Sequence, residues 1–326
     1  MTKKGDACMF KIMVVLPALN EESTIGDMLD RISKLKIKNA SITVLVVDDG
    51  STDSTKSIAL EKGAQVVAHG QNRGVGVAFQ SGVKKAVTLR ADILVNIDSD
   101  GQFDPHYIPK LVEPIIAGES EFVTASRFLA NRKISMPLIK KWGNYQIARL
   151  VSSLCGQKIC DVSCGFRAYS RRAFLSLNLI GDFTYTHEAV LTMAFKGFKI
   201  TEISVPVKGT REFGESRVAS NLFKYAFNAM LIIIRSYRDY KPIITFGVPG
   251  IIMTSMGLLQ LTVFAAWSIA RGEWFPKSMA FASAFCILSG FIFFVIALLA
   301  DMSTRMRIKL EKIIEIIDSM SDDPQT

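Results

Sequence analysis

Histidine and cysteine are scarce in this 326-residue chain: three of the former (His69, His106, His187), five of the latter, and no Cys-x-x-Cys pair. An odd cysteine count without paired spacing argues against a disulfide framework, and so few imidazoles argue against zinc. Cys155, Cys160 and Cys164 lie close in sequence and read as small packed thiols in a reducing compartment. The first strand-to-helix turn lacks Gly-x-Gly-x-x-Gly, with Gly74-Val75-Gly76 following only a later strand, and no Gly-Lys-Ser/Thr occurs. Those absences exclude a dinucleotide fold and a P-loop nucleotide hydrolase. No repeat or low-complexity segment is present, and the N-terminal apolar run is only a strand long, so no signal peptide is expected. A formal charge of +9 comes without a nucleic-acid motif or arginine-rich tract; it suits phosphate substrates and anionic lipid, and no nucleic-acid partner is expected.

The most informative segment is Ile93-Leu94-Val95-Asn96-Ile97-Asp98-Ser99-Asp100-Gly101-Gln102. If it is extended throughout, alternate residues point the same way, so Asp98, Asp100 and Gln102 converge. Oxygen donors without His or Cys suit Mg²⁺ or Mn²⁺, whose shells are completed by phosphate oxygens and water. Ile12-Met13-Val14-Val15-Leu16, closed by Pro17, forms another apolar strand, followed by Asn20-Glu21-Glu22-Ser23 and a helix with Ile25, Met28, Leu29 and Ile32 on one face. Ile42–Val47 ends in Asp48-Asp49-Gly50-Ser51-Thr52-Asp53, and Gln65–Ala68 precedes Asn72-Arg73-Gly74. Apolar strands alternating with helices predict an α/β fold, with a parallel sheet covered on both faces and a ligand rim at the carboxyl ends of its strands. On that rim Asp49 can accept from a base imide, Glu22 can hold a ribose hydroxyl, and Gly74 lets the backbone approach the nucleotide. Asp53 reads as a turn or helix cap.

Pro17-Ala18-x-Asn20-Glu21, Val46-Val47-Asp48-Asp49-Gly50-Ser51, Asn72-Arg73-Gly74, Asp98-x-Asp100-Gly101-Gln102 and Asp161-Val162-Ser163-Cys164-Gly165-Phe166-Arg167 resemble, in order, the motifs of family 2 inverting glycosyltransferases. Within that family the chain is similar to the polyprenyl-phosphate sugar synthases, the group of dolichol-phosphate mannose and glucose synthases. The resemblance covers about residues 10–240. It implies a GT-A fold, a nucleotide-sugar donor with UDP favoured over GDP, Mg²⁺ or Mn²⁺, and a polyprenyl or dolichyl phosphate acceptor. It implies nucleotide contacts from Pro17, Ala18, Asn20, Glu22, Asp49, Gly74 and Asp98, and metal ligation by Asp98, Asp100 and Gln102. Donor or acceptor phosphate would be held by Arg127, Ser163, Arg167, Arg211 and Arg217, guanidinium being suited to bidentate phosphate contacts. Catalytic contributions fall to Asp100 and Arg211, with Glu188 placed for sugar or acceptor binding and Asp161 for orienting Arg167, contacting the acceptor or capping its loop. Arg132, Lys133, Lys140 and Lys141 around Pro137 read either as a loop over the site or as a solvated loop.

Residues 243–270 and 278–300 carry no charged side chain, and each exceeds the ~20 helical residues that cross a hydrocarbon core. The short Arg271–Lys277 connection makes them a hairpin. Arg235, Arg238 and Lys241 before it, with Arg305, Arg307, Lys309 and Lys312 after it, outnumber Arg271 and Lys277 between, which places the catalytic domain in the cytoplasm. Gly247, Pro249 and Gly250 mark a kink or are tolerated in a straight span. Apolar positions Leu222, Phe223, Ala226, Phe227, Met230, Ile233 and Ile234 recur at helical spacing, giving a helix that lies on the membrane or packs on the catalytic domain. Met302, Met306, Leu310, Ile313, Ile317 and Met320 repeat at near-heptad spacing, for a homo-oligomer contact or packing within the chain. Four segments are thus expected: a catalytic domain at 1–218, a juxtamembrane helix at 219–241, a transmembrane hairpin at 242–301 and an amphipathic C-terminal helix and tail at 302–326. The rival functions are glycosyl transfer to a lipid hydroxyl, a small processive polysaccharide synthase, disfavoured because Gln146–Leu150 lacks the expected Trp, and a non-catalytic membrane adaptor sensing nucleotide sugars.

Overall fold

The structure is a computed structural model that describes residues 9–129, 138–177, 185–207, 222–272 and 277–321. It divides into two compact units, Met1–Ile233 and Ile234–Thr326.

In the first unit, strands β1 (Phe10–Ala18), β2 (Ala40–Asp48), β3 (Gln65–Ala68) and β4 (Ile93–Asn96) alternate with helices α1 (Ile25–Ser33), α2 (Thr55–Glu61) and α3 (Val75–Thr88). Helix α4 (Ile108–Ile116), β5 (Phe122–Ser126), α5 (Leu138–Cys155), β6 (Arg167–Ser170), α6 (Arg171–Leu175), α7 (Thr186–Phe195) and β7 (Ile200–Ser204) follow. The sheet order is β3-β2-β1-β4-β6-β5-β7. Strands β1 to β4 are mutually parallel, as is β5 with β7, and their carboxyl ends define one rim.

Strand β1 is apolar at both parities because it is covered on both faces. Ile12, Val14 and Leu16 join Ile25, Met28, Leu29 and Ile32 of α1 and Leu111 and Val112 of α4 in one core. Met13 and Val15 join Ala78 and Phe79 of α3, Val151 of α5 and Val190 of α7 in the other. The spacing i, i+3, i+4, i+7 fixes the buried face of α1, and each such side chain taken from water gains ~1.5–3 kcal/mol before conformational entropy is counted.

One expectation needs correction. Pro17 does not close β1, which continues to Ala18. Val15 accepts from Ile97 N–H and the Pro17 carbonyl from Ser99 Oγ, so position 17 faces the β4 side where that strand has already ended, and no ladder N–H is required there. The sheet is mostly parallel, as expected of the fold class, with β6 alone running antiparallel to both β4 and β5. Asn96, the last residue of β4, pairs with Arg167, the first of β6. The segment entering β6 therefore shares the rim with the segment leaving β4.

Helix α8 (Leu222–Tyr240) crosses the division between the units. Ala229 and Ile233 are buried, whereas Phe227, Met230, Leu231 and Ile234 are exposed on it, so neither single expectation for this helix describes both faces. In the second unit a π-helical turn, Ile243–Gly247, leads into α9 (Val248–Arg271), which Gly272 ends in the left-handed conformation. The candidate membrane spans are Ile243–Arg271 and Lys277–Glu311, with mean hydropathy 1.6 and 2.6. Gly250 packs where a Cβ would stand 2.9 Å from the Gly290 carbonyl oxygen, the small-residue contact by which apolar helices approach closely. The second span and the tail are one helix, α10 (Lys277–Ser321), since no Gly or Pro interrupts residues 291–321. Met302, Met306, Leu310 and Ile313 are exposed along it; the side chains of Ile317 and Met320 lie outside the described residues.

Candidate active site on the carboxyl rim of the sheet

The loops after β1 and β2 are tied together by side chains placed by strand register. The Ala18 carbonyl accepts from Asp49 N–H at 2.8 Å. Asn20, at φ +51°, donates its N–H to Ser51 Oγ and accepts Thr52 N–H on Oδ1 at 2.7 Å. Asp48 Oδ1 accepts Ser51 N–H, a turn contact. Glu22 Oε2 accepts Ser54 N–H at the entrance of α2. Asp53 accepts from Thr55 and from Glu22 N–H; burial alone would raise its pKa, but these hydrogen bonds outweigh it and hold the carboxyl below its ordinary value.

Asp49 is buried and accepts three hydrogen bonds, from His69 Nδ1 at 2.7 Å and Arg73 N–H at 3.0 Å on Oδ1, and from Gly74 N–H at 2.8 Å on Oδ2. Gly74, at φ +93°, precedes the first turn of α3, where Pro-free backbone donors gather. The base-facing residue expected from the sequence is thus also the post on which the loop after β3 hangs.

After β4 the chain turns rather than extending. Strand geometry ends at Asn96, Ser99–Asp100 form a turn, and Gly101 takes φ +70°. The alternation placing Asp98, Asp100 and Gln102 on one side therefore fails as geometry; Gln102 returns through its own N–H, which donates to Asp100 Oδ1 at 3.0 Å. The loop is anchored by the residues between the aspartates. Ser99 donates to the Pro17 carbonyl at 2.7 Å, and its own carbonyl accepts from Thr24 Oγ1 at 2.8 Å. Asn96 Nδ2 donates to the Gly165 carbonyl and to the Tyr185 hydroxyl. Asp98 lies against Gly165 so closely that a Cβ there would stand 2.8 Å from its Oδ2. Asp100 is buried, while Asp98 and Gln102 are half-buried. Among the described residues no three His, Cys, Asp or Glu side chains gather as a metal cluster; the hard-oxygen set here is two carboxylates and one amide.

Antiparallel β6 brings Asp161–Phe166 beside that loop. Asp161 pairs with Arg127, not Arg167: Arg127 Nε reaches Oδ2 at 2.7 Å and NH2 reaches Oδ1 at 2.8 Å, a bidentate fork. The same NH2 donates to Ser163 Oγ at 2.6 Å. Arg167 is 0% exposed, donating to the Thr186 and Val162 carbonyls at 2.7 and 2.8 Å with its guanidinium over the Phe122 ring. That placement does not fit a phosphate-gripping role, because the cation spans the core between two chain segments. Arg127 is held by Asp161 and Ser163, so it too is committed to protein partners. Glu188 sits half-buried in the first turn of α7, where the helix dipole favours a carboxylate. Arg211 and Arg217 lie outside the described residues, as do Arg132, Lys133 and Pro137.

Several supporting residues were not found from the sequence. Glu202 of β7 accepts Cys160 N–H and Asp161 N–H and so shapes the Asp161 loop from the far edge of the sheet. Tyr185 stacks on Phe79 with ring centroids 4.1 Å apart, and burial, then the nearby Asp98 charge, raise its pKa well above the usual value. His187 is driven down to about 4 by burial and by Arg167, against Asp161, so at neutral pH it is uncharged. Only His69 carried a signal, a lone imidazole directly after β3; the others depend on long-range packing.

Comparison with known proteins closes the identification. Residues 13–177 match the family model for Glycosyl transferase family 2. The chain belongs to that family. This family 2 glycosyltransferase is 35% identical over 217 residues to UDP-N-acetylglucosamine--dolichyl-phosphate N-acetylglucosaminyltransferase of Methanococcus voltae, covering 60% of this chain and 84% of that protein. It is 28% identical over 275 residues to undecaprenyl-phosphate 4-deoxy-4-formamido-L-arabinose transferase of an Enterobacter species, covering 81% and 79%. Among solved structures it is similar to glucosyl-3-phosphoglycerate synthase of Mycobacterium tuberculosis, crystallised with Mn²⁺, UDP and glucosyl-3-phosphoglycerate, at TM-score 0.56 and 26% identity over 70% of this chain and 80% of that one. The family 2 domain has the GT-A fold, and its sheet is mostly parallel.

Proposed function

We propose that this family 2 glycosyltransferase moves a sugar from a nucleotide sugar, UDP- favoured and GDP- as the alternative, to a polyprenyl monophosphate at the cytoplasmic face of a membrane, with inversion. The observation that carries the reading is the coupling, in one chain, of a family 2 rim bearing Asp98, Asp100 and Asp49 with two helical stretches, residues 243–270 and 278–300, that carry no charged side chain and are long enough to span a bilayer. Relatives whose names specify dolichyl or undecaprenyl phosphate acceptors support it. So do the basic residues flanking the spans.

Asp98, Asp100 and Gln102 offer only hard oxygen donors at the mouth of the sheet, which fits Mg²⁺ or Mn²⁺ and leaves room in the shell for diphosphate oxygens. A bound divalent cation supplies positive charge where the leaving diphosphate accumulates negative charge. Asp49 binds the base and Gly74 lets the protein backbone approach the nucleotide, with Ala18 and Asn20 holding the loop that frames it. Arg211 is assigned to diphosphate or acceptor phosphate, and Arg217 to a supporting phosphate contact. A phosphate oxygen of the acceptor forms the new bond to the anomeric carbon as the bond to the diphosphate breaks, and the electron pair leaves with the nucleoside diphosphate. With a second pKa of ~6 the phosphate monoester arrives ionised at neutral pH, so no protein base has to take a proton. Glu188 is assigned to a sugar hydroxyl or acceptor positioning. The exposed apolar face of α8 is assigned to the headgroup region.

Purified protein with a panel of radiolabelled nucleotide sugars, a short-chain polyprenyl phosphate and Mn²⁺ should release nucleoside diphosphate and form a lipid-phosphate sugar. Release that needs a lipid alcohol instead, or no release with any donor, would reject this function. For orientation, a single cysteine replacing Trp274 in a cysteine-free protein should be labelled from outside intact cells, and one replacing Glu215 only after permeabilisation.

A further inference from the structure

We infer that His69 is a positioning residue of the nucleotide pocket, holding the Asp49 carboxylate so that one acceptor site of Oδ2 stays directed to the base. The inference rests on the nucleotide reading above and assigns a role to a residue that this reading leaves unused. The His69 side chain is only 6% exposed and that of Asp49 only 5%. His69 Nδ1 is 2.7 Å from Asp49 Oδ1, and Nε2 is 3.0 Å from Ser81 Oγ on α3.

The Asp49 carboxylate takes the Nδ1–H hydrogen bond, and Nε2 lies within hydrogen-bond distance of the Ser81 hydroxyl. The ring is thereby fixed at both ends, and a rigid donor fixes the rotation of Asp49. A carboxylate offers about four acceptor positions. Those of Asp49 receive His69 and Arg73 N–H on Oδ1 and Gly74 N–H on Oδ2. Among the described residues this leaves Oδ2 one further acceptance, which a base imide or amine N–H can fill. Without the imidazole the carboxylate is left with the two N–H donors of the loop after β3 alone, and its direction then follows that loop.

The Asp–His–Ser order resembles a hydrolytic triad, but the setting excludes one. Ser81 lies inside α3, Val75–Thr88, where main-chain N–H groups are engaged along the helix and cannot form an oxyanion site beside its hydroxyl. The chain of hydrogen bonds is a brace.

The test measures binding rather than turnover. Affinities of the full-length protein for UDP, GDP and inorganic pyrophosphate, each with Mn²⁺, are compared by calorimetry. His69→Leu should weaken the preferred nucleotide about ten- to a hundredfold, the worth of a hydrogen bond to a charged group. Pyrophosphate, which has no base, should bind as before. His69→Asn keeps an amide N–H near the Nδ1 position and should restore nucleotide affinity, whereas His69→Gln, whose amide reaches toward Ser81, should not. In an Asp49→Asn background His69→Leu should add no further loss, because its effect runs through that carboxylate. Equal weakening of pyrophosphate and nucleotide, or a nucleotide preference that survives both His69→Leu and His69→Gln, would overturn the assignment of His69. Wild-type protein that holds pyrophosphate as tightly as both nucleotides would instead overturn the nucleotide reading itself. If His69→Leu fails to fold, the Asn and Gln variants still decide the matter between them.

Discussion

The half of the rim built by β1, β2 and β3 and the half built by β4 and β6 solve the same problem, holding charge at the edge of a sheet, in different ways. In the first half, carboxylates are met mainly by main-chain N–H groups of loops and helix entrances: Asp48 by Ser51, Asp53 by Thr55 and Glu22, Asp49 by Arg73 and Gly74. In the second, charge is carried inward and met by side chains and carbonyls: Arg127 by Asp161 and Ser163, Arg167 by the Thr186 and Val162 carbonyls. Main-chain donors arrive with the fold and cost little further ordering, whereas a buried guanidinium loses hydration that its partners must replace. The carboxylates of the first half should therefore tolerate loss of a single partner better than the largely buried Arg127 and the buried Arg167 of the second.

The sharpest division between activity and stability lies within the β4 loop, whose anchors are Asn96 and Ser99. Asp100→Asn should lower turnover on the order of 10² to 10³-fold while leaving thermal unfolding almost unchanged. Chelation of divalent cations should do the same to wild-type protein. Undiminished nucleoside diphosphate release in either experiment would refute the role of these carboxylates.

Removing Asp161 from beneath Arg127 should cost roughly 3 kcal/mol of stability, because it leaves a largely buried guanidinium without its counter-charge. Denaturant unfolding of Asp161→Ala checks this; a loss under about 1 kcal/mol, the worth of an exposed pair, would erase the contrast between the two halves.

His187 gives the same half a pH dependence. Its folded value of about 4 lies below the ordinary ~6.5, so between those limits the unfolded chain takes up a proton that the folded chain refuses. Stability is intact above ~6.5 and falls as pH drops toward about 4, by at most about 3 kcal/mol. His187→Asn should flatten that limb in pH-dependent melting, and an unchanged limb would assign it to another group.

The smallest effect belongs to the first half. Asp53→Ala removes acceptors for Thr55 and Glu22 N–H at the start of α2 and should cost about 1 kcal/mol without altering turnover. A loss of nucleotide affinity in this variant would show that the capping carboxylate also reaches the ligand.

The parallel half of the sheet was legible in the sequence because its signals are local. Apolar runs at both parities, polar loops after each and the i, i+3, i+4, i+7 face of α1 all follow from nearest neighbours along the chain, as do the two membrane-length helices. The ordered motifs fixed the family for the same reason. Asp98 and Asp100 were legible as residue types, but their assumed alternation was not, since Gly101 and the Ser99–Asp100 turn end the extended geometry at Asn96.

Only the tertiary structure decided which arginine meets which carboxylate, that β6 runs antiparallel, and that His69 stands between Asp49 and Ser81. Each of these joins residues far apart in sequence, Arg127 with Asp161, Asn96 with Arg167, Asp49 with His69. A guanidinium at the end of a strand has the same local signature whether it faces phosphate or a buried carbonyl. Strand order and direction settle the choice, because they fix which groups share a few ångströms at the rim and which must find their partners inside the core.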